Sequence, residues 1–396
     1  MSSQAAAPAA EVPARMILLL AAACGVVVAN LYYAQPLIGL IAPDIGLQPQ
    51  AASLVVTLTQ LGYCAGLVLL VPLGDLLENR SLVLCTLGLA LAALLLAAWA
   101  PNAGWFLAAS LCIGLGSVAV QMLVPIAAHL APDRSRGRVV GSVVSGLLTG
   151  IMLARPVSSL LAHAFGWRAV FWLSAAAMVL IGLVLRYALP RRQPQADHGY
   201  GELIASLWTL LRDTPLLRRR AAYQAALFAA FSLYWTTVPL LLSSPLYGLS
   251  QRGIALFALA GAAGALSAPI AGRLADRGHT RLATGASLAI AALAFVPAWF
   301  GTRGSLPLLL AGGVALDLGV QANLVLGQRA IYELGAHLRS RLNGLYIALF
   351  FLGGALGSAI ASVTYAHGGW GLVCGVAMAF PAAALLLYST EPRPHR

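Results

Sequence analysis

Apolar stretches of roughly 20 residues recur from one end of this chain to the other, and a helix needs about that many residues to cross a bilayer core. Twelve such spans are legible, at 16–41, 51–73, 81–100, 104–130, 139–163, 167–189, 221–243, 253–272, 282–300, 305–329, 342–365 and 369–389. A soluble chain of 396 residues needs a charged surface, whereas here 60% of the residues are hydrophobic and only 9% are charged. A membrane β-barrel is excluded as well, because its strands alternate in polarity and these segments are apolar throughout. The sequence therefore predicts an all-α integral membrane protein with twelve transmembrane helices. Residues 1–15 are small, polar and Pro-containing, and read as a disordered N-terminal lead into a first span that is not cleaved.

Every one of the 24 basic residues is Arg, and their placement sets the topology. With the N-terminus inside, the inner loops and tails hold most of them, while the outer loops hold only Arg168, Arg252 and Arg303. Cytoplasmic loops of membrane proteins carry such an excess, so both termini are expected in the cytoplasm. The net charge of +12 is then a topology signal. It does not point to nucleic acid, because the arginines gather on no single soluble module. Cys24, Cys64, Cys85, Cys112 and Cys374 stand singly in apolar spans, which suits inert buried thiols and no metal site.

The chain also repeats itself. "NLYY" (30–33) returns as "SLYW" (232–235), "LGDLLENR" (73–80) as "LADRGHTR" (274–281), and "SVAVQ" (117–121) as "DLGVQ" (317–321). Arg136-x-Arg138-x-x-Gly141 returns as Arg339-x-Arg341-x-x-Gly344. Four matches in order, at offsets of 200 to 203, predict two homologous six-helix halves, 16–189 and 221–389. A linker (190–220) joins them, carrying a short helix over 202–212 that lies on the inner membrane face. A tail (390–396) follows. An even number of helices per half gives both halves the same orientation, an arrangement belonging to transporters that rock around a midplane site.

With these features the whole chain resembles the major facilitator superfamily, in particular its bacterial sugar-efflux and drug:proton antiporter-like branch. That superfamily carries an inner-loop pattern G-x-L-a-D-r-x-G-R-K. "GRLADRGHTR" (272–281) keeps Gly272, Leu274, Ala275, Asp276, Arg277 and Arg281, and "VPLGDLLENR" (71–80) keeps Leu73, Asp75 and Arg80. The resemblance implies a gating role for Asp75, Arg80, Asp276, Arg277 and Arg281. Helix capping by the acids, with pairing across the loop by the arginines, is the plainer reading of the same residues. In the fifth span, antiporters of the superfamily carry g-x8-G-x3-G-P-x2-G-G. The same spacing here falls on Gly141, Gly150, Ala154, Arg155, Ser158 and Ser159, with Arg155 in place of the Pro. The resemblance further implies a bacterial inner-membrane location, and first, fourth, seventh and tenth spans that line a central cavity.

One acid stands inside the spans. Asp317 follows twelve uncharged residues (305–316) and precedes eleven more (318–328). At 1.5 Å per residue it lies about 18 Å along the tenth span, near the midplane. A carboxylate there costs roughly 2.5–3.5 kcal/mol on insertion scales and should face the bundle interior. Burial penalises its charged form, which suits a group that takes and releases protons. Arg155 is the expected partner, by an ion pair that makes and breaks as the halves rock or by a fixed bridge. Alternatively it binds an anionic or zwitterionic substrate. Neutral hydrogen-bonding and aromatic groups, Asn30, Tyr32, Gln35, Gln121, Tyr234, Trp235 and Gln321, are the candidate substrate contacts.

The expected function is secondary active transport, in the first place proton-coupled efflux of a small organic molecule by alternating access. Proton-linked uptake or facilitated passage of a small anion or zwitterion is the alternative. The partners are a small-molecule substrate, protons and the lipid bilayer, and the two fused halves complete a pathway as a monomer. No cofactor is expected, and no enzyme, since the spans hold neither paired carboxylates nor a metal-ligand cluster. Without a GxxxxGK[ST] loop, energy must come from a gradient.

Overall fold

The computed structural model describes residues 12–132, 134–194, 199–261, 263–264, 267–335 and 338–391. Most of the expected N-terminal lead (1–15), part of the tail (390–396) and residues 195–198 of the linker lie outside the described residues. Among those described there are helices and turns but no strands.

The first span is broken. α1 (Ala14–Ala29) ends in a turn at 30–34, and after one 3-10 turn α2 (Ile38–Asp44) resumes. Pro36 explains the break: it has no N–H to give the Tyr32 carbonyl, and its ring crowds that carbonyl. α3 (Leu54–Leu69) and α4 (Asn79–Trp99) follow, then α5 (Ala103–Gly116) and α6 (Ala119–Leu130), which together make the fourth span with a break at Ser117. α7 (Arg136–Phe165) and α8 (Trp167–Ala188) close the first set of six crossings. α9 (Tyr200–Asp213) belongs to the connection and buries Leu203 and Leu207.

The second set opens with α10 (Pro215–Ser243), the seventh span. The eighth is described in two pieces, α11 (Gln251–Gly261) and α12 (Ser267–Asp276). The ninth is α13 (Thr280–Leu293) continued by α14 (Phe295–Trp299), and the tenth is α15 (Leu306–Tyr332). α16 (Arg339–Ser389) has 51 residues, about 75 Å of helix and more than twice a bilayer core. It is two spans, because Gly369 at φ 57°, ψ −158° turns the chain back between them. By length and composition nine described helices can each cross a membrane. The broken first span, the two-piece eighth and the second limb of α16 complete the twelve.

In lipid, helices are not held together by burial from water, so close backbone contact matters more. α1 and α7 cross where Gly25 meets Gly146 and Gly150, and a side chain on either α7 glycine would run into the α1 backbone. α10 and the first limb of α16 cross in the same way, with Gly353 and Gly357 against the backbone of Ala225 and Ala229. Gly150 and Gly353 are 203 positions apart, the offset of the Arg136/Arg339 repeat. In the fifth-span pattern Gly141 plays no such part: a side chain there would meet nothing within 4 Å. Gly150 packs as the pattern expects, and its companion at the crossing is Gly146, outside the pattern.

The first-half helices meet the second half along α3 against α16 and α7 against α11, and α10 packs on 35–44. Reciprocal bonds join Ser53 and Ser362, each backbone N–H donating to the other's Oγ at 2.9 and 3.3 Å. Deeper in, Thr57 and Ser358 share a hydroxyl–hydroxyl bond of 3.0 Å, and Gln60 Nε2 donates to Ser232 Oγ at 2.6 Å.

Two alanine substitutions separate packing from helix propensity. Gly150→Ala forces α1 and α7 apart, an overpacking that costs about 1–3 kcal/mol. Gly141→Ala, in open space, removes a helical glycine and raises stability by up to about 1 kcal/mol. Melting temperatures in detergent should move in opposite directions.

Candidate functional site

The break in the first span delivers Tyr32 and Gln35 to the middle of the bundle, and both are buried. Arg155, also buried, reaches them from α7. Its Nε donates to Gln35 Oε1 at 2.9 Å. Since a guanidinium can only donate, this bond fixes the Gln35 amide with Nε2 turned away from Arg155. The guanidinium carbon lies 5.2 Å from the Tyr32 ring centre, 4.9 Å from that of Phe231 and 4.6 Å from that of Trp235. Phe231 and Trp235 are one turn apart on α10, so one face of that helix supplies two rings. Three aromatic faces give a desolvated cation some of what water gave it.

Trp235 has a second task. Its Nε1–H donates to Asp317 Oδ1 at 2.8 Å. Asp317, 6% exposed, projects from the middle of α15 as its position in the run predicts, and the segment 263–264 packs so closely that a side chain on Gly264 would strike its Cβ. The expected Arg155–Asp317 ion pair is absent among the described residues. The physical reason is the indole, which holds the cation against its face and the carboxylate at its edge. The two charges are thus joined through Trp235.

Not all of these groups are satisfied. Arg155 Nη2, Gln35 Nε2, Ser159 Oγ and Thr236 Oγ1 are buried without a hydrogen-bond partner among the described residues. Buried polar atoms are nearly always paired, so these four on α7, α10 and the first span need an explanation.

The remaining expected contacts lie elsewhere. Asn30 is engaged within the first half, accepting from Ser174 Oγ at 2.6 Å. Tyr234 donates to the Leu309 carbonyl at 2.8 Å and packs edge-on against Trp235 and Trp370. Gln121 donates to Tyr63 Oη at 2.9 Å and lines a cavity of about 230 Å³ toward the arginine-rich end, with Asp75, Asn79, His129, Arg192 and Ser340. Its repeat counterpart Gln321 is half-buried. The site therefore gathers Tyr32, Gln35, Arg155, Trp235 and Asp317, while Tyr234 packs against Trp235, and Asn30 and Gln121 are engaged elsewhere.

A family model of the Major Facilitator Superfamily matches residues 18–305 and 247–396. The chain belongs to the major facilitator superfamily. It is 40% identical over 367 residues to a protein named as the uncharacterized transporter YgaY of Escherichia coli O157:H7, covering 93% of each chain. To the probable transporter SCO4007 of Streptomyces coelicolor it is 39% identical over 390 residues, 97% of this chain and 89% of the relative. Two solved structures share the fold. The human organic anion transporter MFSD10 (TETRAN) superposes with a TM-score of 0.69 at 18% identity, over 95% of this chain and all of that one. A point mutant of the nucleoside transporter NupG gives 0.74 at 14%, over 94% and 99%. This is accordingly a multi-pass membrane transport protein with bacterial relatives, and not an enzyme.

The superfamily's loop residues are placed differently from the capping expectation. Glu78, not Asp75, caps α4 by accepting from the Arg80 and Ser81 amides. Asp75 is exposed in the turn before it. Arg80 does not pair across its loop but donates to the Arg186 carbonyl at the end of α8, at 2.9 Å. In the second copy Asp276 pairs with Arg329 of α15, and Arg281 donates to the Glu391 carbonyl at 2.9 Å. Arg277 is exposed. Sequence reading missed Arg329, the charge that closes the tenth span. It also missed Phe231, whose four-residue spacing from Trp235 was the available signal.

A double-mutant cycle on Trp235→Phe and Asp317→Asn, read by unfolding in mixed micelles, should give a coupling of about 1–2 kcal/mol. Additivity within about 0.3 kcal/mol would mean that the two side chains do not meet.

Proposed function

We propose that the protein is a proton-coupled secondary transporter that exports a small organic molecule by alternating access, with Asp317 as its proton site. The observation that carries this reading is a carboxylate buried at the middle of α15, held by an indole N–H and, among the described residues, by no contacting cation. A permanently paired structural acid would sit on its arginine. An acid held by one neutral donor keeps the freedom to gain and lose a proton, and intramembrane acids commonly mark such relays. One proton crossing about 100 mV supplies about 2.3 kcal/mol, roughly a fifty-fold gradient of substrate.

In this reading the chain sits in the bacterial inner membrane as a monomer, with the arginine-rich end and both termini in the cytoplasm. The clusters at Asp75, Arg80, Asp276, Arg277 and Arg281 rearrange as the halves rock about the α3–α16 and α7–α11 contacts. Proton-linked uptake of a small anion or zwitterion is a second reading, favoured by the unpartnered Nη2 of Arg155.

Respiring everted membrane vesicles with a pH-sensitive dye test both. Ethidium, sugars, amino acids and organic anions are added in turn to the cytoplasmic face. At least one class should release protons from vesicles carrying the wild type and none from those carrying Asp317→Asn. Uptake predicts the opposite sign, with the substrate alkalinising the medium of right-side-out vesicles. Release undiminished in Asp317→Asn, or no response to any class in either orientation, would contradict proton coupling at Asp317.

A further inference from the structure

The unpartnered atoms beside Arg155 are not a random assortment. Arg155 Nη2 and Gln35 Nε2 carry only N–H donors, and the Arg155–Gln35 bond places them on adjacent groups. Ser159, one turn along α7, and Thr236, next to Trp235, add two hydroxyls without partners. All four residues are at least nine-tenths buried. Arg155 Nη2 and Gln35 Nε2 are both donors with no acceptor among the described residues, and a carboxylate offers two acceptor oxygens. Asp317, its formal countercharge, is one indole away and cannot fill that place.

We infer that the site takes a small zwitterion, with the substrate's carboxylate on Arg155 and Gln35 and its ammonium on Asp317, beside the indole that touches both Arg155 and Asp317. This rests on the reading of Asp317 as the proton site and explains how it would drive export. The ammonium and the proton compete for one carboxylate, so loading the substrate expels the proton and protonating Asp317 releases the substrate. Arg155 stays charged throughout.

Few other groups enter the competition. The titratable or charged side chains around Asp317 are Arg155 from α7, Tyr234 from α10 and Tyr32 from the break in the first span. Tyr234 is committed to the Leu309 carbonyl. On the elements packed against α15, and on α15 itself, the charges Arg218, Arg219, Arg220, Arg252, Arg273, Asp276, Arg281, Arg303, Arg329, Arg339 and Arg341 stand at or near helix ends. Cys374 lies on the second limb of α16.

The test is binding to the purified full chain in detergent, read as a rise in melting temperature. The probes are the neutral amino acids, their amides, which keep only the ammonium, and their des-amino acids, which keep only the carboxylate. Zwitterions should stabilise the wild type, the single-pole analogues at least tenfold less effectively. Their apparent affinity should fall as the pH is lowered. Arg155→Gln should weaken zwitterion binding about ten- to a hundred-fold, the value of a charge-assisted contact, with Arg155→Lys recovering part of it. Amides binding as well as zwitterions, unaffected by Arg155→Gln, would overturn the inference and leave Asp317 as the proton site. Des-amino acids binding equally well, with Asp317→Asn unchanged, would make this a plain anion site. No stabilisation by any zwitterion would mean that water alone fills the donors, while the vesicle experiment still judges proton coupling separately.

Discussion

The centre of this molecule depends on a single side chain with two faces. A guanidinium and a carboxylate both lie buried inside membrane-spanning helices, where each is costly. Had they closed into a direct bridge, they would have neutralised each other and left nothing to do chemistry. Trp235 prevents that by lending its π face to Arg155 and its N–H to Asp317. Among the described residues the cation keeps one unpartnered nitrogen and the acid is held by a single neutral donor. Both are stabilised without being consumed.

The pair is also the point at which the two halves stop being copies. The offset of 200 that relates "SVAVQ" to "DLGVQ" sets Ser117 opposite Asp317. The offset of 203 that relates Gly150 to Gly353 sets Arg155 opposite Ser358. In both cases one half has the charge and the other a serine. Ser358 stays in the seam between the halves, bonded to Thr57 and donating to Gln60 Oε1 at 3.2 Å. The repeated glycine crossings preserve the scaffold, while the charges break the symmetry, one from each half. A site assembled from one charge on each side is altered by any movement between them, as alternating access requires.

Much of the fold was legible because membrane helices are written in uninterrupted apolar runs. The twelve spans, the return at Gly369 and the depth of Asp317 follow from run length and from 1.5 Å per residue. What the runs did not reveal was side-chain geometry. The sequence reading set Arg155 directly against Asp317, yet an aromatic inserted between them is invisible to run length and depth. The break at 30–34 was signalled by Pro36 but hidden in a continuous apolar stretch. Capping was misplaced by three residues, from Asp75 to Glu78, because a 3-10 turn occupies 71–75 and delays the start of α4. Gly141 matched a pattern and packs on nothing, while Gly146, outside it, meets the backbone of Ala21.

The central claim is that Asp317 exchanges a proton inside the membrane while Trp235 holds it. Infrared difference spectroscopy on the reconstituted protein, recorded from acid to alkaline pH, reads this without knowledge of the substrate. The account predicts a buried carboxylic-acid C=O band that is lost as the pH rises. That band should be missing in Asp317→Asn and displaced in Trp235→Phe, where the N–H bond is gone. A spectrum with no titrating buried acid, or with the same band in Asp317→Asn, would contradict it.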